Sequence, residues 1–166
     1  MGGVREHAAR VQLVVFDVDG VFTDGRLYYG TNGEEMKAFH VRDGHGIKLL
    51  LKHGLQTAVI SGRKSTAVTR RMQELGITHV FQGNDDKRPI LEILLQKLRL
   101  DPQQVACVGD DLADLPIMEV AGLPIAVADA HPEVRARAQF VTQARGGEGA
   151  VREVCDLILT ARNSNG

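Results

Sequence analysis

Short runs rich in valine, isoleucine and leucine alternate along the chain with longer stretches in which apolar residues recur every three or four positions. A short apolar run is typical of a buried strand, and the longer period is typical of a helix. Because parallel strands need crossover connections, the alternation predicts a parallel sheet covered by helices. We therefore expect an α/β fold with a doubly wound, mostly parallel, Rossmann-like sheet and helices on both faces.

The boundaries of these elements follow from the apolar runs and from the turn residues between them. The predicted strands are Leu13–Phe16, Thr57–Ile60, His79–Phe81, Val105–Val108, Pro124–Val127 and Phe140–Val141. The predicted helices are Asp43–Lys52, Ser65–Leu75, Lys87–Arg99, Asp111–Ala121, Pro132–Ala138 and Gly149–Ala161. We expect Pro116 to bend or delay its helix, because proline lacks the amide hydrogen that a helix interior requires.

A β-hairpin is predicted directly after the first strand. The runs Arg26–Tyr29 and Met36–Val41 flank the tetrapeptide Gly30–Gly33, which contains the pair Asn-Gly. Asn-Gly between two β-prone runs is a strong hairpin signal, because both residues accept the positive φ angles of a tight turn. The hairpin is therefore the one element that interrupts the alternation of strand and helix.

The length of 166 residues and the hydrophobic content of 43% suit one compact domain. We expect an N-terminal extension over residues 1–10, the domain over residues 11–161 and a flexible tail over residues 162–166. A formal charge of −1 gives no overall attraction to nucleic acid or membrane, and no apolar run reaches the roughly 20 residues of a membrane helix. We expect a cytoplasmic protein that binds neither, with Cys107 and Cys155 as buried, reduced thiols.

Acidic residues follow two of the predicted strands at the point where each strand ends. Asp17 and Asp19 follow the first strand, and the fourth strand is followed by Asp110, Asp111 and Asp114. In open α/β sheets, ligands bind at the carboxyl ends of the strands. A spacing of two places Asp17 and Asp19 on the same side of an extended backbone. One of them can then attack a substrate while the other transfers a proton.

These carboxylates are expected to need a cation. Neighbouring carboxylates repel each other by on the order of 1 to 4 kcal/mol per pair, unless a cation or protons neutralise them. Oxygen ligands without cysteine or paired histidine favour Mg²⁺ over Zn²⁺. The alternative for Asp111 or Asp114 alone is a helix cap, which is a common role of aspartate. Capping alone does not explain two acidic clusters at neighbouring strand ends.

Two further segments suit a phosphorylated ligand. Ser61, Gly62 and Arg63 directly follow the second predicted strand, where a hydroxyl and backbone N–H groups at a helix start can hold phosphate oxygens. Lys87 precedes its own predicted helix and can neutralise a phosphate and an attacking carboxylate. Taken singly, a lysine such as Lys87 is more often a solvated surface residue.

The order of these motifs resembles the haloacid dehalogenase superfamily of phosphatases. The resemblance rests on Asp17-Val-Asp19-Gly20, Ser61-Gly-Arg63, Lys87 and Gly109-Asp110-Asp111 with Asp114. It implies that Asp17 is the nucleophile and a Mg²⁺ ligand. It implies that Asp19 is the general acid and base and binds the metal through its backbone carbonyl. Superfamily members that preserve their phosphoenzyme carry threonine at the place of Asp19, so the aspartate favours hydrolysis.

The same resemblance implies the remaining site residues. Asp110 would complete the protein's share of the metal ligands, and Asp111 and Asp114 would orient them. The phosphoryl oxygens would be held by Ser61, Gly62 and Lys87. Within the superfamily the chain is similar to the family of 3-deoxy-D-manno-octulosonate (Kdo) 8-phosphate phosphatases of lipopolysaccharide synthesis. That similarity rests on the stretches Asp17–Gly25, Asn32–Glu35, Val41–Gly44, Val127–Pro132 and Gly146–Asp156.

The substrate implied by this family is a small phosphorylated sugar acid. The positions that match the family's substrate contacts are Asp19, His40, Val41, Arg42, Asp43, Gly44, Lys48, Arg63, Arg71 and Lys87. Arginine side chains suit such a substrate, because a planar guanidinium matches the geometry of a carboxylate.

The spacing of the motifs leaves no room for a cap domain. Only 42 positions separate Asp19 from Ser61, and 24 separate Arg63 from Lys87. A site without a lid cannot exclude water by itself. The family resemblance implies a homotetramer, in which hairpins meet at the centre and C-terminal segments approach the adjoining site.

Three alternatives remain open at this point. A phosphatase for nine-carbon, sialic-type sugar phosphates has the same motifs, although that branch tends to carry an acidic residue where Arg63 stands. A phospho-receiver domain also combines acidic residues with a hydroxyl and a lysine, but its lysine follows all the other motifs. A binding module without activity would be expected to have lost one of the carboxylates.

Overall fold

A six-stranded parallel sheet lies at the centre of the computed structural model, which describes residues 3–165. The strands in chain order are β1 (Leu13–Phe16), β2 (Tyr28–Tyr29), β3 (Glu35–Met36), β4 (Gln56–Ser61), β5 (His79–Gln82), β6 (Val105–Gly109), β7 (Leu123–Ala126) and β8 (Phe140–Val141). The sheet has the order β5-β4-β1-β6-β7-β8, and β2 pairs with β3 as a separate antiparallel hairpin. The predicted fold class and the predicted hairpin are confirmed.

Helices cover both faces of the sheet. They are α1 (Val4–Arg10), α2 (Val41–Lys52), α3 (Thr66–Leu75), α4 (Arg88–Leu98), α5 (Leu115–Met118), α6 (Pro132–Arg137) and α7 (Ala150–Ser164). Helix α7 packs against α1 and α2, and α2 also contacts α3, whereas α4 and α5 contact each other. This arrangement is the doubly wound one, with two helical layers around one sheet.

Strand β1 runs through the middle of the core. Its four residues are fully buried, as expected for a strand that is covered on both faces. Phe16 lies opposite Val59 of β4 and Val108 of β6, so the carboxyl ends of these three strands lie side by side. The chain leaves β1 toward β4 and β5 and later returns to β6 on the other side. Ligands of open α/β sheets bind at such a switch point.

The predicted helix Asp111–Ala121 is wrong as one continuous helix. The structure has a 3₁₀ turn at Leu112–Asp114 followed by the short helix α5. Pro116 is the second residue of α5, where proline is tolerated because the first turn donates no backbone hydrogen bond within the helix. The proline therefore delays the start of the regular helix, which is one of the two effects expected of it.

Helices lie near both ends of the described chain. The extension contains helix α1, and Ala8 and Val11 at its C-terminal end are fully buried. Helix α7 continues to Ser164, and Arg162 donates from Nη1 to the backbone carbonyl of Val11 at 2.7 Å. Most of the predicted tail is thus helical, while residues 1, 2 and 166 lie outside the described part of the chain. None of the described helices is long and apolar enough to cross a membrane.

Candidate active site

The loop after β1 carries the predicted nucleophile and the predicted acid–base residue. The backbone N–H of Asp17 donates to the carbonyl of Val108 at 3.2 Å, so β6 holds the start of the loop. The Asp17 Oδ1 accepts from the N–H of Val18 at 2.8 Å. Gly20 turns the chain with a φ of +88°, and a methyl group there would overlap the carboxylate of Asp110. Glycine thus permits the first acidic cluster to approach the second.

Asp114 organises the loop after β6 from a buried position. Its Oδ2 accepts from the backbone N–H of Asp110 at 2.9 Å and from that of Asp111 at 3.2 Å. Its Oδ1 accepts from Lys87 Nζ at 2.7 Å. Because protein donors occupy both oxygens, the geometry favours an orienting role for Asp114 over direct binding of a metal.

Lys87 is not a surface lysine. Its side chain is 2% exposed, and Nζ lies 3.2 Å from Asp17 Oδ1 in addition to its bond to Asp114. Burial opposes the charged form, but the carboxylates of Asp114 and Asp17 raise the pKa of Lys87 above its ordinary value. The ammonium group therefore remains charged beside the predicted nucleophile.

Asp17 and Asp110 face each other across the junction of the two loops. Carboxylate oxygens of Asp17, Asp110 and Asp114 lie within 4.8 Å of one another. Burial and the charge of Asp114 raise the pKa of Asp17 to about 6, against the opposing effect of Lys87. Burial and the charge of Asp17 raise the pKa of Asp110 to about 9. Both shifts have the sign expected when buried carboxylates repel each other.

The donor set at this junction fits a divalent cation. Asp110 Oδ1 is buried and has no hydrogen-bond partner within residues 3–165. A buried carboxylate oxygen without a partner is costly, and a cation bound between Asp110 and Asp17 would satisfy it and offset their repulsion. Oxygen ligands of this kind suit Mg²⁺.

Asp111 lies at the solvent side of the same loop. Its exposed carboxylate accepts from the backbone N–H of Leu112 at 2.8 Å and caps the 3₁₀ turn. These contacts match the capping alternative, and the predicted orienting role toward a metal stays a prediction.

Ser61 is the last residue of β4, and Gly62 and Arg63 form the turn that follows. Ser61 is 2% exposed, and its hydroxyl accepts from the N–H of Arg63 at 3.4 Å. Helix α3 begins only at Thr66, capped by Ser65. The amides of this segment thus belong to a turn and not, as expected, to the start of a helix.

These elements surround an open cleft of about 400 Å³. The cleft is lined by Asp17, Asp19, Gly25, Gly62, Arg63, Asn84, Asp85, Lys87, Asp110, Asp111 and Ala113. The structure thus brings together the predicted catalytic pair, two predicted phosphate-binding residues and one predicted substrate arginine. Asn84 and Asp85 were not predicted, although their place directly before the Lys87 motif could have indicated them.

The hairpin contributes two charged residues that sequence reasoning missed. Lys37 Nζ lies 2.5 Å from Asp19 Oδ1, and the Lys37 side chain has no exposed surface. Glu35 accepts from Arg63 Nη2 at 2.7 Å. The Asn-Gly signal placed the hairpin correctly, but nothing in the local pattern showed that its second strand folds back onto the loop after β1.

The exposed substrate residues predicted on and before α2 lie outside the cleft. His40 caps α2, and its Nδ1 accepts from the N–H of Arg42 at 3.0 Å. Val41 is 79% exposed, and Arg42 and Lys48 also face solvent. Their side chains are available to a ligand or partner, but not to one confined to the cleft of the same subunit.

Three other predicted substrate residues are engaged in packing. The buried carboxylate of Asp43 accepts from the backbone N–H of Arg152 at 3.0 Å, which joins α2 to α7. Burial raises the pKa of Asp43 in spite of this bond. Gly44 leaves room for Arg71, whose guanidinium carbon lies 6.0 Å from the ring centre of Phe39. The predicted contacts of these residues with substrate stay predictions.

A glycine-rich loop before α7 supports the loop after β1 from behind. The N–H of Gly147 donates to the carbonyl of Val21 at 3.0 Å, and the N–H of Gly146 donates to Asp129 Oδ1 at 3.0 Å. A methyl group on Gly146 would overlap the carbonyl of Gly20. The position of the loop after β1 thus depends on close backbone packing from a segment more than 100 residues away.

Comparison with known proteins agrees with this geometry. Residues 76–154 match the family model of haloacid dehalogenase-like hydrolases. The chain is 52% identical over 159 residues to the 3-deoxy-D-manno-octulosonate 8-phosphate phosphatase of Escherichia coli strain B, covering 96% of this chain and 85% of that protein. It is 50% identical over 160 residues to the phosphatase of the same name from Yersinia pestis, covering 96% and 86%.

Solved structures show the same fold. The crystal structure of the Yersinia pestis phosphatase superposes with a TM-score of 0.95 at 50% identity, covering 96% of this chain and 86% of that one. The Moraxella catarrhalis phosphatase, solved with a magnesium ion, a phosphate ion and Kdo, superposes with a TM-score of 0.95 at 43% identity, covering 97% and 92%. The chain therefore belongs to the haloacid dehalogenase-like hydrolases, in the family of the 3-deoxy-D-manno-octulosonate 8-phosphate phosphatases.

Proposed function

We propose that the protein hydrolyses Kdo 8-phosphate to Kdo and inorganic phosphate, with Mg²⁺ as cofactor and Asp17 as nucleophile. The observation that carries the proposal is the convergence of Asp17, Lys87 and Asp110 in one open cleft, with Asp19 and Arg63 at its side. Relatives 50 to 53% identical over nearly the whole chain bear the name of this activity. A homologous phosphatase was solved with magnesium, phosphate and Kdo together.

Asp17 and Asp110 would hold the Mg²⁺ through their carboxylates, and Asp19 would contribute its backbone carbonyl. When bound, the ion neutralises negative charge on the carboxylates and on the phosphoryl group. Asp114 keeps this arrangement oriented, because its carboxylate accepts from the backbone N–H groups of Asp110 and Asp111 and from the Lys87 ammonium.

The reaction would proceed in two displacements at phosphorus. The Asp17 carboxylate forms a bond to phosphorus while the bond to the sugar oxygen breaks, and Asp19 gives that oxygen a proton. Asp19, now ionised, takes a proton from water as the water attacks the aspartyl-phosphate and releases Asp17 and phosphate. Lys87 and the turn at Ser61 and Gly62 would hold the phosphoryl oxygens during both steps.

Arg63 suits the acid group of the substrate. Its side chain is 46% exposed at the rim of the cleft, and Glu35 holds one side of the guanidinium. The remaining donors can bind a carboxylate in the planar geometry that arginine favours. The relatives carry the name of the eight-carbon acid, so the nine-carbon alternative is not favoured. Membership in the hydrolase family also argues against a receiver domain.

The proposal includes a homotetramer that acts in the cytoplasm. Tyr28 and Met36, which pair across the hairpin, are 44% and 56% exposed, and Tyr29 on the opposite face is 62% exposed. Soluble proteins usually cover exposed apolar surface of this kind. The exposed side chains of Val41, Arg42 and Lys48 on α2 would reach the cleft of a neighbouring subunit. They would cover an active site that is open to solvent within one subunit. Both cysteines are buried free thiols, which suits a reducing compartment. Light scattering that gives a mass near 18.1 kDa, the mass of one chain, would contradict the shared site.

A phosphate-release assay tests the activity directly. Kdo 8-phosphate is compared with a nine-carbon sugar acid 9-phosphate and with glucose 6-phosphate, each in Mg²⁺ and in EDTA. We expect the highest kcat/KM for Kdo 8-phosphate and no turnover in EDTA. Equal kcat/KM values for all three substrates would indicate a general phosphatase and would contradict the assignment of Kdo 8-phosphate as the substrate.

A further inference from the structure

Lys37 is a buried lysine at the end of the hairpin whose charge faces the predicted acid–base residue. Its Nζ lies 2.5 Å from Asp19 Oδ1 and 3.4 Å from Glu35 Oε1. Its side chain has no exposed surface. A buried ammonium is costly unless carboxylates neutralise it, so this side chain is held in one place by its two partners.

Glu35 connects the same lysine to the rim of the cleft. Its Oε2 accepts from Arg63 Nη2 at 2.7 Å, while Oε1 faces Lys37. Partial burial opposes ionisation of Glu35, but the hydrogen bond from Arg63 and the charges of Lys37 and Arg63 together hold its pKa below the ordinary value. Lys37, Glu35 and Arg63 thus form an ordered chain of charges beside Asp19.

Asp19 depends on this chain for its orientation. Of the residues that the structure describes, Lys37 is the only hydrogen-bond partner of the Asp19 carboxylate. The second oxygen, Oδ2, lies 3.9 Å from Arg63 Nε. Without Lys37, the carboxylate would be free to rotate toward the guanidinium of Arg63, where a bidentate pair would occupy both of its oxygens.

On this geometry we propose that Lys37 is a positioning residue for Asp19. It engages Oδ1 and leaves Oδ2 without a hydrogen bond from the described residues, on a side chain that lines the cleft. Oδ2 is then the atom that protonates the leaving oxygen in the first step and takes the proton of water in the second. The inference rests on the proposed function, since it assumes that Asp19 transfers these protons.

The test separates the two half-reactions with p-nitrophenyl phosphate, whose nitrophenolate leaves without needing a proton. In Lys37→Met, phosphorylation of Asp17 should remain fast, and hydrolysis of the aspartyl-phosphate should become slow. Stopped-flow measurement should show a burst of about one nitrophenolate per active site, followed by a steady state about 100-fold slower than that of the unmodified protein. A burst and steady state that both match the unmodified protein would overturn the proposal.

A double-mutant cycle shows whether Lys37 acts through Asp19. With p-nitrophenyl phosphate we expect Lys37→Met alone to lower the steady-state kcat about 100-fold, with a parallel fall in KM because the phosphoenzyme accumulates, and to lower kcat less than about 2-fold in an Asp19→Asn background. The same factor in both backgrounds would indicate a structural role and contradict the proposal. Lys97→Met makes the same chemical change on the exposed face of α4 and serves as the matched control.

Folding and substrate identity are controlled separately. If Lys37→Met does not fold, Lys37→Gln keeps a donor for Asp19 without the charge and is expected to retain a larger kcat than a Lys37→Ala variant of equal thermal stability. Equal kcat values for these two would contradict the positioning role.

The p-nitrophenyl phosphate assay does not involve the sugar. If the unmodified protein does not hydrolyse Kdo 8-phosphate, the proposed substrate is wrong. The effect of Lys37→Met on p-nitrophenyl phosphate hydrolysis can still be interpreted.

Discussion

Lys87 and Asp114 form a buried ion pair, with Nζ of the lysine 2.7 Å from Oδ1 of the aspartate and exposed fractions of 2% and 1%. The pair connects the start of α4 to the loop after β6, and the same ammonium faces Asp17. A single aspartate therefore fixes both the charge that faces the predicted nucleophile, Asp17, and the backbone that carries Asp110.

Replacing Asp114 by alanine should cost both stability and activity. The substitution leaves the Lys87 ammonium buried with only Asp17 as partner, and breaking such a pair from one side typically costs about 3 to 5 kcal/mol. We expect a loss near the lower end of this range in urea unfolding, together with an about 10- to 100-fold fall in kcat/KM. Asp111→Ala, which removes only an exposed cap, should cost about 1 kcal/mol. Equal, small effects at both positions would show that Asp114 is a simple cap.

Asp17→Asn should abolish turnover without unfolding the protein. An amide cannot attack phosphorus, and loss of a nucleophile that acts with a catalytic group lowers kcat by at least about 10⁴-fold. Lys87 keeps Asp114 as a partner, and the repulsion between residues 17 and 110 is removed. We therefore expect a urea midpoint in EDTA equal to or above that of the unmodified protein. Steady-state phosphate release by the pure variant would contradict the assignment of the nucleophile.

The stability of the metal-free protein should fall as the pH rises. The pKa of Asp17 is raised to about 6 and that of Asp110 to about 9 in the folded chain, whereas an unfolded aspartate titrates near ~4. Between these values the folded chain retains protons that the unfolded chain has released, so the slope of unfolding free energy against pH is negative. Each group contributes up to about 1.4 kcal/mol per pH unit within its window.

Urea unfolding from about pH 5 to about pH 9 measures this effect. We expect the midpoint in EDTA to fall across this range. Added Mg²⁺ should raise the midpoint, and it should do so more at the alkaline end, because the ion binds the ionised carboxylates. A midpoint in EDTA that rises with pH would contradict the raised pKa values.

Gly146→Ala should disturb the loop after β1, which carries Asp17 and Asp19, from a distance. The added methyl group would overlap the backbone carbonyl of Gly20, and neither backbone can yield as a flexible side chain would. Overpacking of this kind typically costs about 1 to 3 kcal/mol. We expect that loss of stability together with a lower kcat, because Gly20 adjoins Asp19 and touches the Asp110 carboxylate. Gly3→Ala is the control, since its methyl group would meet no atom of the described residues within 4 Å other than its chain neighbours. Unchanged kcat in Gly146→Ala would show that the loop position does not depend on this contact.

The parts of the fold set by local signals were predictable from the sequence. Strand β1 was predicted with its observed bounds, because a strand buried on both faces is apolar at every position. The acidic residues were expected to meet because the carboxyl ends of parallel strands share one edge of the sheet. Pro116 showed where the helix would be disturbed, but not that the disturbance would leave only a short helix.

Contacts between distant segments were not predictable in this way. Asp19 and Lys37 are 18 residues apart, and their approach depends on how the hairpin folds back, which the Asn-Gly signal does not encode. Asp43 is bonded to a residue 109 positions later, so its burial against α7 is a property of helix packing. A motif comparison identifies such a residue as part of a site without showing which partner it meets.

Strand β3 and the residue after it place neighbouring side chains on opposite sides of the hairpin. Glu35 and Lys37 point toward Arg63 and Asp19, whereas Met36 between them is 56% exposed. Because the side chains of a strand alternate, removing one residue from the turn before β3 would turn the charged pair outward and the methionine inward. The turn at residues 31–34 is exposed, but its length is constrained by the contact that Lys37 makes with Asp19 on another loop.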